Sequence, residues 1–532
     1  ILNDLSGSIQ SGRLTAIMGP SGSGKSTFLN VLSGRTSSKS VKGSTVSVNL
    51  KVNGRSIDPV EAKREFAYVM SEDALLATST PYECISFAAK MRLPRMKNEE
   101  RAAKVHHLID TLGLTKCQSS LIGNENIKGV SSGERKRTAV AVELVHDPPI
   151  MFLDEPTSGL DSFSAYKLVE VLKELNANGR CIVATIHQPS SEVFHLFDDV
   201  LFLWEGYCIY HGPVDEVEDY FARLGHSVPE SFNPADFILF LTQTLDSEEL
   251  QMMAAKWSER ESASLMEPKV LCKGDHHDIP SSERSSFLVQ FVALWKRDVK
   301  GFFRDTNSLR ARLAFTVFLN LLFGFIYLDS GGRSSGYVLG VGESVGKSHV
   351  GALTLLAINN MFSQAQGAYF LSKSCVEIPV AFVQTGVSVA ILYNMMGLNG
   401  PFLEIWLAVF LLASAIASTA VMAGCFAPNP KTAMEAGPLL FVPQILFAGF
   451  FVDLSEVPAF LRWVQYLCSL KYAMNLLFIA EFSDHPGGED VLISNDVEED
   501  LKWAYILLLL ALLIVFRLVG LVALTRKAVT VY

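Results

Sequence analysis

The feature that most constrains this chain is residues 19–27, Gly-Pro-Ser-Gly-Ser-Gly-Lys-Ser-Thr, which match G-x-x-x-x-G-K-[ST] without a mismatch. The apolar run 14–18 precedes this stretch and a helix-forming run, 28–32, follows it. The order strand, glycine loop, helix predicts a P-loop, in which backbone N–H groups and the positive end of the helix face phosphate oxygens. A glycine-rich turn without function is the weaker interpretation. We expect nucleotide contacts from Gly19, Pro20, Ser21, Gly22, Ser23, Gly24, Lys25, Ser26 and Thr27, with the Ser26 hydroxyl also facing Mg²⁺.

The composition divides the chain into two parts. Of its 532 residues 49% are hydrophobic and the mean hydropathy is +0.27, which is too apolar for an ordinary soluble protein of this length. Residues 1–285 have the pattern of a soluble α/β domain, whereas 311–524 contain several long apolar runs.

The net charge of −10 has no basic surplus, so nucleic acid is not an expected partner. The eight cysteines form no CxxC pair, which favours reduced thiols, and insertion into a membrane must depend on internal spans because no signal peptide is evident.

A second set of chemically suggestive residues follows two predicted strands. The run 150–153 is apolar, as in a buried parallel strand, and ends at Asp154 and Glu155. Asp154 is placed to hold Mg²⁺ through water, and Glu155 to polarise a water that attacks a γ-phosphate. The strand 181–186 ends at His187, which can bond to a γ-phosphate; a lone histidine would more often be structural.

Two further turns lie near helix starts. Ser131-Ser132-Gly133-Glu134 precedes a helix-forming run and is a second candidate anion site, although such turns are also common helix caps. The turn 156–161 ends at Asp161 and leads into another predicted helix.

Taken in the order in which they follow along the chain, these motifs resemble the ABC ATPase family across residues 1–240. The stretches His187-Gln-Pro-Ser-Ser-Glu-Val-Phe, Tyr210-His-Gly-Pro213 and Asn233-Pro-Ala-Asp-Phe237 resemble the G subfamily, the White-type transporters. The resemblance implies an α/β P-loop ATPase domain of the ABC type followed by an all-α transmembrane domain of six helices. It also implies ATP and Mg²⁺ as cofactors and a dimer, because each family site joins one subunit's P-loop to the other subunit's signature.

The resemblance assigns a role to each motif. Residues 19–27 correspond to Walker A, Asp154 to the end of Walker B and Glu155 to the catalytic base. Ser131–Glu134 correspond to the signature, residues 158–161 to the D-loop, and His187 to the switch histidine.

The sequence departs from the family pattern in three ways. Ser71 stands where the Q-loop glutamine is expected, and its shorter side chain cannot reach both Mg²⁺ and the membrane domain. Ser132 replaces a signature glycine, and its side chain can crowd the backbone's approach to phosphate. We expect both to weaken hydrolysis. An adenine-stacking aromatic would precede Ile1, so we expect a segment upstream of it.

The second half predicts a membrane domain. Residues 241–285 are polar and mixed and are interpreted as a linker, and 286–310 as an amphipathic connecting helix with basic residues on the cytoplasmic surface. Residues 311–532 form the transmembrane domain, since a span needs about 20 apolar residues. Residues 456–480 are apolar enough to re-enter the membrane, as the corresponding helices of the resembling family do. The resemblance also implies that a helix-length segment is missing near Gln366–Gly367. The predicted spans are 311–328, 350–366, 379–397, 402–426, 433–452 and 501–524.

Polar and aromatic residues of the spans give weaker indications. Glu377, Glu404 and Arg517 are expected to reach the membrane interfaces, whereas Glu435 favours a buried polar contact. By resemblance, a substrate cavity would lie between the second and fifth helices. Its candidate lining residues are Asn359, Phe362, Phe441 and Phe447.

The leading hypothesis is a multi-pass membrane protein with a cytoplasmic nucleotide domain, in the plasma membrane or an internal membrane. It would be a half-transporter, a homodimer or heterodimer that exports a hydrophobic or amphipathic cargo such as lipid, sterol or xenobiotic. The first alternative is a weakly catalytic ATP-binding subunit of a heterodimer, which Ser71 and Ser132 favour. The second is a P-loop kinase or GTPase with a membrane anchor, which the signature turn and His187 oppose.

Overall fold

The computed structural model describes residues 2–36, 48–63, 66–124, 127–177, 179–230, 232–265, 286–328, 353–354, 356–357, 371–427, 432, 440–448, 460–484 and 488–531. The chain divides into two compact units, Ile1–Gln290 and Phe291–Tyr532, and each is described by itself.

A six-stranded sheet forms the centre of the first unit. Its strand order is β4-β5-β6-β1-β7-β8, parallel except for the last strand. The inner strands are mostly apolar and almost entirely buried, because helices cover both faces of a parallel sheet. The bounds are β1 Leu14–Met18, β4 Phe66–Val69, β5 Ile150–Leu153, β6 Cys181–Thr185, β7 Asp199–Trp204 and β8 Tyr207–Pro213, with a separate antiparallel pair β2 Leu50–Val52 and β3 Arg55–Ile57.

Helices surround this sheet, and several begin at side-chain caps. Thr80 and Glu83 form a capping box at the start of α3, and Ser131 and Glu134 form another at α5. The helices are α1 Lys25–Leu32, α2 Pro59–Ala62, α3 Pro81–Arg92, α4 Asn98–Thr111, α5 Ser132–Leu144, α6 Ser162–Asn176, α7 Ser191–Phe194, α8 Val217–Arg223, α9 Pro234–Thr244 and α10 Ser247–Leu265. The α/β P-loop fold expected for this half is confirmed.

Helix α10 corrects the interpretation of 241–285 as a linker. The helix covers Ser247–Leu265, and α9 continues past the expected domain end at 240. Leu250, Met253 and Trp257 are buried in the core of the first unit, where the Trp257 ring lies 5.1 Å from that of Tyr210. A few large apolar side chains at helical spacing therefore attach this charged segment to the sheet domain, and residues 266–285 lie outside the described residues.

The second unit is helical. Its elements are α11 Phe287–Arg304, which begins just before the unit boundary, α12 Thr306–Ile326, α13 Leu371–Met396, α14 Phe402–Phe426, α15 Ser469–Phe482, α16 Gly488–Ser494 and α17 Lys502–Val531, with 3₁₀ turns at Arg462–Leu467 and Glu499–Leu501. Among the described residues four helical stretches are long and apolar enough to cross a membrane: Leu309–Ile326, Glu377–Met396, Phe402–Phe426 and Glu499–Arg526. They coincide with the first, third, fourth and sixth predicted spans. The predicted spans 350–366 and 433–452 lie largely outside the described residues.

Helix α15 begins within the predicted re-entrant segment and ends two residues beyond it. It is buried along its length, and the buried Glu481 accepts backbone N–H bonds from Asn399 and Gly400, at 2.8 and 2.9 Å. These bonds tie the helix to the turn between α13 and α14. Whether the segment re-enters a membrane stays a prediction.

The charged residues of the predicted spans make specific contacts. Lys502 donates to Glu404 at 2.6 Å, and the Arg517 guanidinium donates to the buried hydroxyl of Ser418 at 3.0 Å. The Arg517 side chain therefore contacts α14, and whether it also reaches a membrane interface stays a prediction. Glu435 lies outside the described residues.

Two of the four expected cavity-lining residues lie among the described residues. Phe441 is buried in the core of this unit, and Phe447 packs against that core while remaining partly exposed. Whether either residue also lines a substrate cavity stays a prediction. Asn359 and Phe362 lie outside the described residues.

Candidate nucleotide-binding site

The strand order brings the separate motifs of the sequence to one edge of the sheet. Strands β5, β6 and β1 are parallel neighbours, with Leu153 beside Ala184 and Ile17 beside Thr185. Their carboxyl ends therefore lie together, and from them leave the P-loop, the Asp154-Glu155 pair and His187. Ligands of open α/β sheets bind at this edge, beyond the carboxyl ends of the strands.

The P-loop needs glycine for two different reasons. A Cβ on Gly19 would lie 2.2 Å from the carbonyl oxygen of Leu203, which no side chain tolerates. Gly24 has φ of +99° and is the N-cap of α1, a left-handed conformation that favours glycine. These positions fix the turn that aims the start of α1 at a ligand.

Lys25 supplies a buried positive charge inside this loop. Its ammonium donates to the carbonyl oxygens of Gly19 and Pro20, at 2.8 and 2.9 Å. Burial lowers the pKa of Lys25, while the nearby Glu155 and Asp154 carboxylates act in the opposite direction. A buried ammonium bonded only to neutral carbonyl groups would gain from an anionic ligand, such as a phosphate.

Asp154 lies against the start of α1. Its Oδ1 is 3.1 Å from the Ser26 hydroxyl, and its Oδ2 is 3.4 Å from the Tyr68 hydroxyl. Burial, and secondarily the Asp154 charge, raises the pKa of Tyr68, so this hydroxyl stays protonated and able to donate. A hydroxyl and a carboxylate side by side are the kind of oxygen donors that Mg²⁺ prefers, so these residues fit the ion.

Glu155 and His187 lie at the ends of adjacent strands. Glu155 has φ of +46°, a conformation rare for a residue with a side chain, and its N–H donates to Thr185 Oγ1 at 2.8 Å. His187 is exposed, and its Nε2 lies 3.3 Å from the hydroxyl of Ser21 in the P-loop. The structure thus brings the expected switch histidine next to the expected phosphate loop.

A cavity of about 340 Å³ opens at this place. Helix α9 contributes two residues that sequence reasoning missed, Leu239 and Gln243. Neither carries a motif signal, because only the packing of α9 brings them here. The lining residues are Gly19, Pro20, Ser21, His187, Gln188, Leu239 and Gln243.

The signature turn lies elsewhere. Ser131 caps α5: its hydroxyl accepts from the Glu134 N–H at 3.3 Å, and its own N–H donates to the Glu134 carboxylate at 2.8 Å. Ser131 and Ser132 are exposed, whereas Gly133 is buried, and a Cβ there would lie 3.1 Å from the Cβ of Ser164. Asp161 caps the neighbouring helix α6 through the Ser164 N–H. No residue from 131–134 is among the described residues that line the cavity.

Lys136 joins the signature helix to the segment that follows β4. Its buried ammonium donates to the carbonyl oxygens of Met70 and Ser71 and lies 3.1 Å from the Asp73 carboxylate. From the sequence, Ser71 was interpreted only as a replacement of the expected Q-loop glutamine. The structure shows that the backbone of this segment is held through its carbonyl group instead.

The fold and this site define a P-loop nucleotide-binding domain joined to a helical membrane domain. The comparisons with known proteins agree. Residues 2–158 match the family described as ABC transporter, and residues 289–368 and 365–482 match the ABC-2 type transporter family. A further ABC-2 type transporter match covers residues 187–261, which the structure places in the first unit.

The relatives extend over most of the chain. Protein white of Drosophila melanogaster is 32% identical, over 92% of this chain and 75% of its own length. ABC transporter G family member 7 of Arabidopsis thaliana is 32% identical, over 94% and 74%. The mouse broad substrate specificity ATP-binding cassette transporter ABCG2 is 30% identical, over 91% and 80%. The chain belongs to the G subfamily of ABC transporters, with the White-type half-transporters. The expected family and fold class are confirmed, and with them ATP binding and membrane transport as the general activity.

Proposed function

We propose that this chain is an ATP-driven half-transporter whose site hydrolyses ATP. The observation that carries the proposal is the shared sheet edge, where Lys25, Asp154, Glu155 and His187 meet although they are far apart in the sequence. Lys25 would hold the β- and γ-phosphates, Glu155 would polarise the attacking water, and His187 would bond to the γ-phosphate.

The remaining site residues require a second chain. The signature residues Ser131, Ser132, Gly133 and Glu134 and the D-loop residue Asp161 lie on helix starts that do not line the cavity of their own chain. We infer that they face the nucleotide held by the P-loop of a partner half-transporter, identical or different. Two chains would then enclose two ATP molecules.

Mg²⁺ would be held by Ser26 and Asp154, whose oxygen atoms lie 3.1 Å apart. The ion would neutralise phosphate charge and so add to the charge that Lys25 supplies. The protein's part is to keep both oxygen atoms on one side of the loop.

The cargo is proposed to be hydrophobic or amphipathic, such as a lipid, sterol or xenobiotic, and to move outward. The similarity to the White-type transporters is what supports this class of cargo. The name of the mouse relative states broad substrate specificity for that protein. The nucleotide domain would lie in the cytoplasm, below the plasma membrane or an internal membrane.

The alternative is a weakly catalytic subunit that needs a competent partner. Ser132 is exposed in the first turn of α5, where its side chain can crowd an approaching phosphate. Ser71 is exposed and too short to replace a glutamine side chain. These two positions favour the alternative, whereas Lys25 and Glu155 favour self-sufficient hydrolysis.

ATP hydrolysis by the full chain in lipid vesicles tests the proposal, with Glu155→Gln as the critical variant. Loss of a general base lowers turnover by about 100-fold or more, whereas ATP binding should persist. Glu174→Gln is the matched control, because Glu174 is exposed on α6 away from the site. Turnover that Glu155→Gln leaves unchanged would reject the role of Glu155. ATP binding without any wild-type turnover would favour the heterodimer alternative.

A further inference from the structure

Thr185 connects the two carboxylate-bearing residues of the site. It is the last residue of β6, fully buried between strands β5 and β1. Its hydroxyl donates to Asp154 Oδ1 at 2.8 Å and accepts the backbone N–H of Glu155, also at 2.8 Å. A threonine hydroxyl has one donor and two acceptor positions, so a single group satisfies both neighbours.

The first of these bonds orients the Asp154 carboxylate. Rotation of an aspartate about its last torsion is only loosely restricted by the chain itself. The same Oδ1 atom lies 3.1 Å from the Ser26 hydroxyl, so the bond from Thr185 fixes the oxygen that faces the P-loop. Without that bond the carboxylate could turn away from Ser26.

The second bond supports an unusual backbone conformation. Glu155 has φ of +46°, and residues other than glycine rarely adopt such values. Conformations of this kind persist when surrounding contacts hold them. Its N–H is bonded to Thr185, so the direction in which the Glu155 side chain leaves the backbone depends on the same hydroxyl.

We propose that Thr185 is a positioning residue for ATP hydrolysis, which orients Asp154 and Glu155 together through one hydroxyl. It acts through those residues and would touch neither the nucleotide nor the attacking water. The inference rests on the proposed ATPase function. The competing explanation is that Thr185 is a β-branched strand residue whose buried hydroxyl only stabilises the sheet.

Removal of the hydroxyl separates the two explanations. Thr185→Val keeps the shape but loses both bonds, and Thr185→Ser keeps the hydroxyl. Thr15→Val is the matched control: Thr15 is buried on the adjacent strand β1, and its hydroxyl has no hydrogen-bond partner among the described residues. All variants are measured as full chains in lipid vesicles, for kcat, for the KM of ATP and for the Mg²⁺ concentration that gives half the maximal rate.

The proposal predicts that Thr185→Val changes kcat and the Mg²⁺ requirement but not the KM for ATP. Small misplacements in an active site lower turnover by about 10- to 100-fold, so Thr185→Val should lose that much kcat. Its half-saturating Mg²⁺ concentration should rise, while the KM for ATP stays close to that of the wild type. Thr185→Ser should restore most of the rate, and Thr15→Val should leave it unchanged.

Three outcomes would overturn the proposal: full activity of Thr185→Val, no recovery in Thr185→Ser, or an equal loss in Thr15→Val. If Thr185→Val does not fold, Thr185→Ala is compared with Thr185→Ser in the same way. If the wild type shows no turnover, the hydrolytic function fails and so does the role of Thr185 in hydrolysis, whereas the orientation of Asp154 by Thr185 can still be tested. Mg²⁺ dependence of fluorescent ATP-analogue binding then decides, because Thr185→Val should require more Mg²⁺, and an unchanged requirement would refute it.

Discussion

Replacing Lys136 with methionine tests the contact between helix α5 and the segment that follows strand β4. The Lys136 ammonium donates to the carbonyl oxygens of Met70 and Ser71 and forms an ion pair with Asp73. Lys136 is 4% exposed, and the Asp73 side chain is 10% exposed. Asp73 Oδ1 lies 3.1 Å from the ammonium and has no hydrogen-bond partner among the residues that the structure describes, so the pairing is mainly electrostatic.

The expected loss is large because methionine leaves a buried charge without its partner. Breaking a buried ion pair from one side costs about 3–5 kcal/mol. A loss of that size lowers the midpoint of thermal unfolding by about 5–15 °C for a unit of this length. The neutralised pair Lys136→Met with Asp73→Leu should recover part of the loss, because no uncompensated charge remains.

Thermal unfolding of the full chain in lipid nanodiscs measures this effect. Lys167→Met is the matched control, because the Lys167 side chain is 47% exposed and its ion pair with Glu170 lies on the surface of α6. Surface pairs of this kind contribute about 0.5 kcal/mol or less. If Lys136→Met unfolds at the same temperature as Lys167→Met, the electrostatic argument for the α5 contact is wrong.

Three further predictions concern other contacts. Burial, and secondarily Arg92, lowers the pKa of His146 to about 4 from the usual 6.5. As the pH falls, the unfolded chain takes up the proton first, so the free energy of unfolding should fall by on the order of 3 kcal/mol between pH 6.5 and 4. In pH-dependent unfolding, His146→Gln should remove most of this dependence. Glu481→Leu leaves two backbone N–H groups unbonded, so thermal unfolding should report a loss of about 2–5 kcal/mol, with a smaller loss for Glu481→Gln, which keeps one acceptor oxygen; equal stability of Glu481→Leu and wild type would contradict this. Ser71→Gln with Ser132→Gly should raise ATP turnover, because both serines are expected to weaken hydrolysis. An unchanged rate would contradict that expectation.

Much of the nucleotide site could be predicted because its motifs are local. The P-loop is a strand, a glycine turn and a helix in consecutive residues, and its flanks are visible in the sequence. Asp154, Glu155 and His187 were each predicted from the strand that precedes them. Parallel strands end at a common edge, so their general neighbourhood also followed.

The contacts around those residues could not be predicted in the same way. Thr185 looks like any β-branched residue in an apolar strand, and Lys136 looks like a surface residue of a basic helix. Leu239 and Gln243 belong to a helix that carries no phosphate motif. Each of these residues makes its contacts with a segment that is distant in the chain.

The charged stretch after residue 240 shows the same limit. Its composition predicts a linker, since polar and charged residues together outnumber apolar ones. Leu250, Met253 and Trp257 nevertheless bury one face of α10 against the sheet domain. A helix needs only one apolar face to pack, and average composition hides it.

The sequence by itself determined the family, the phosphate-binding loop and the presence of a membrane domain, because each depends on consecutive residues or on composition. Only the tertiary structure decided which buried side chains hold these segments in place. Thr185 bonds to Asp154 and Glu155, Lys136 to the segment after β4, and Glu481 to the α13–α14 turn. The physical reason is that a buried hydrogen bond needs two groups at one distance and angle. Strand order and helix packing set both, and neither is written in a local pattern.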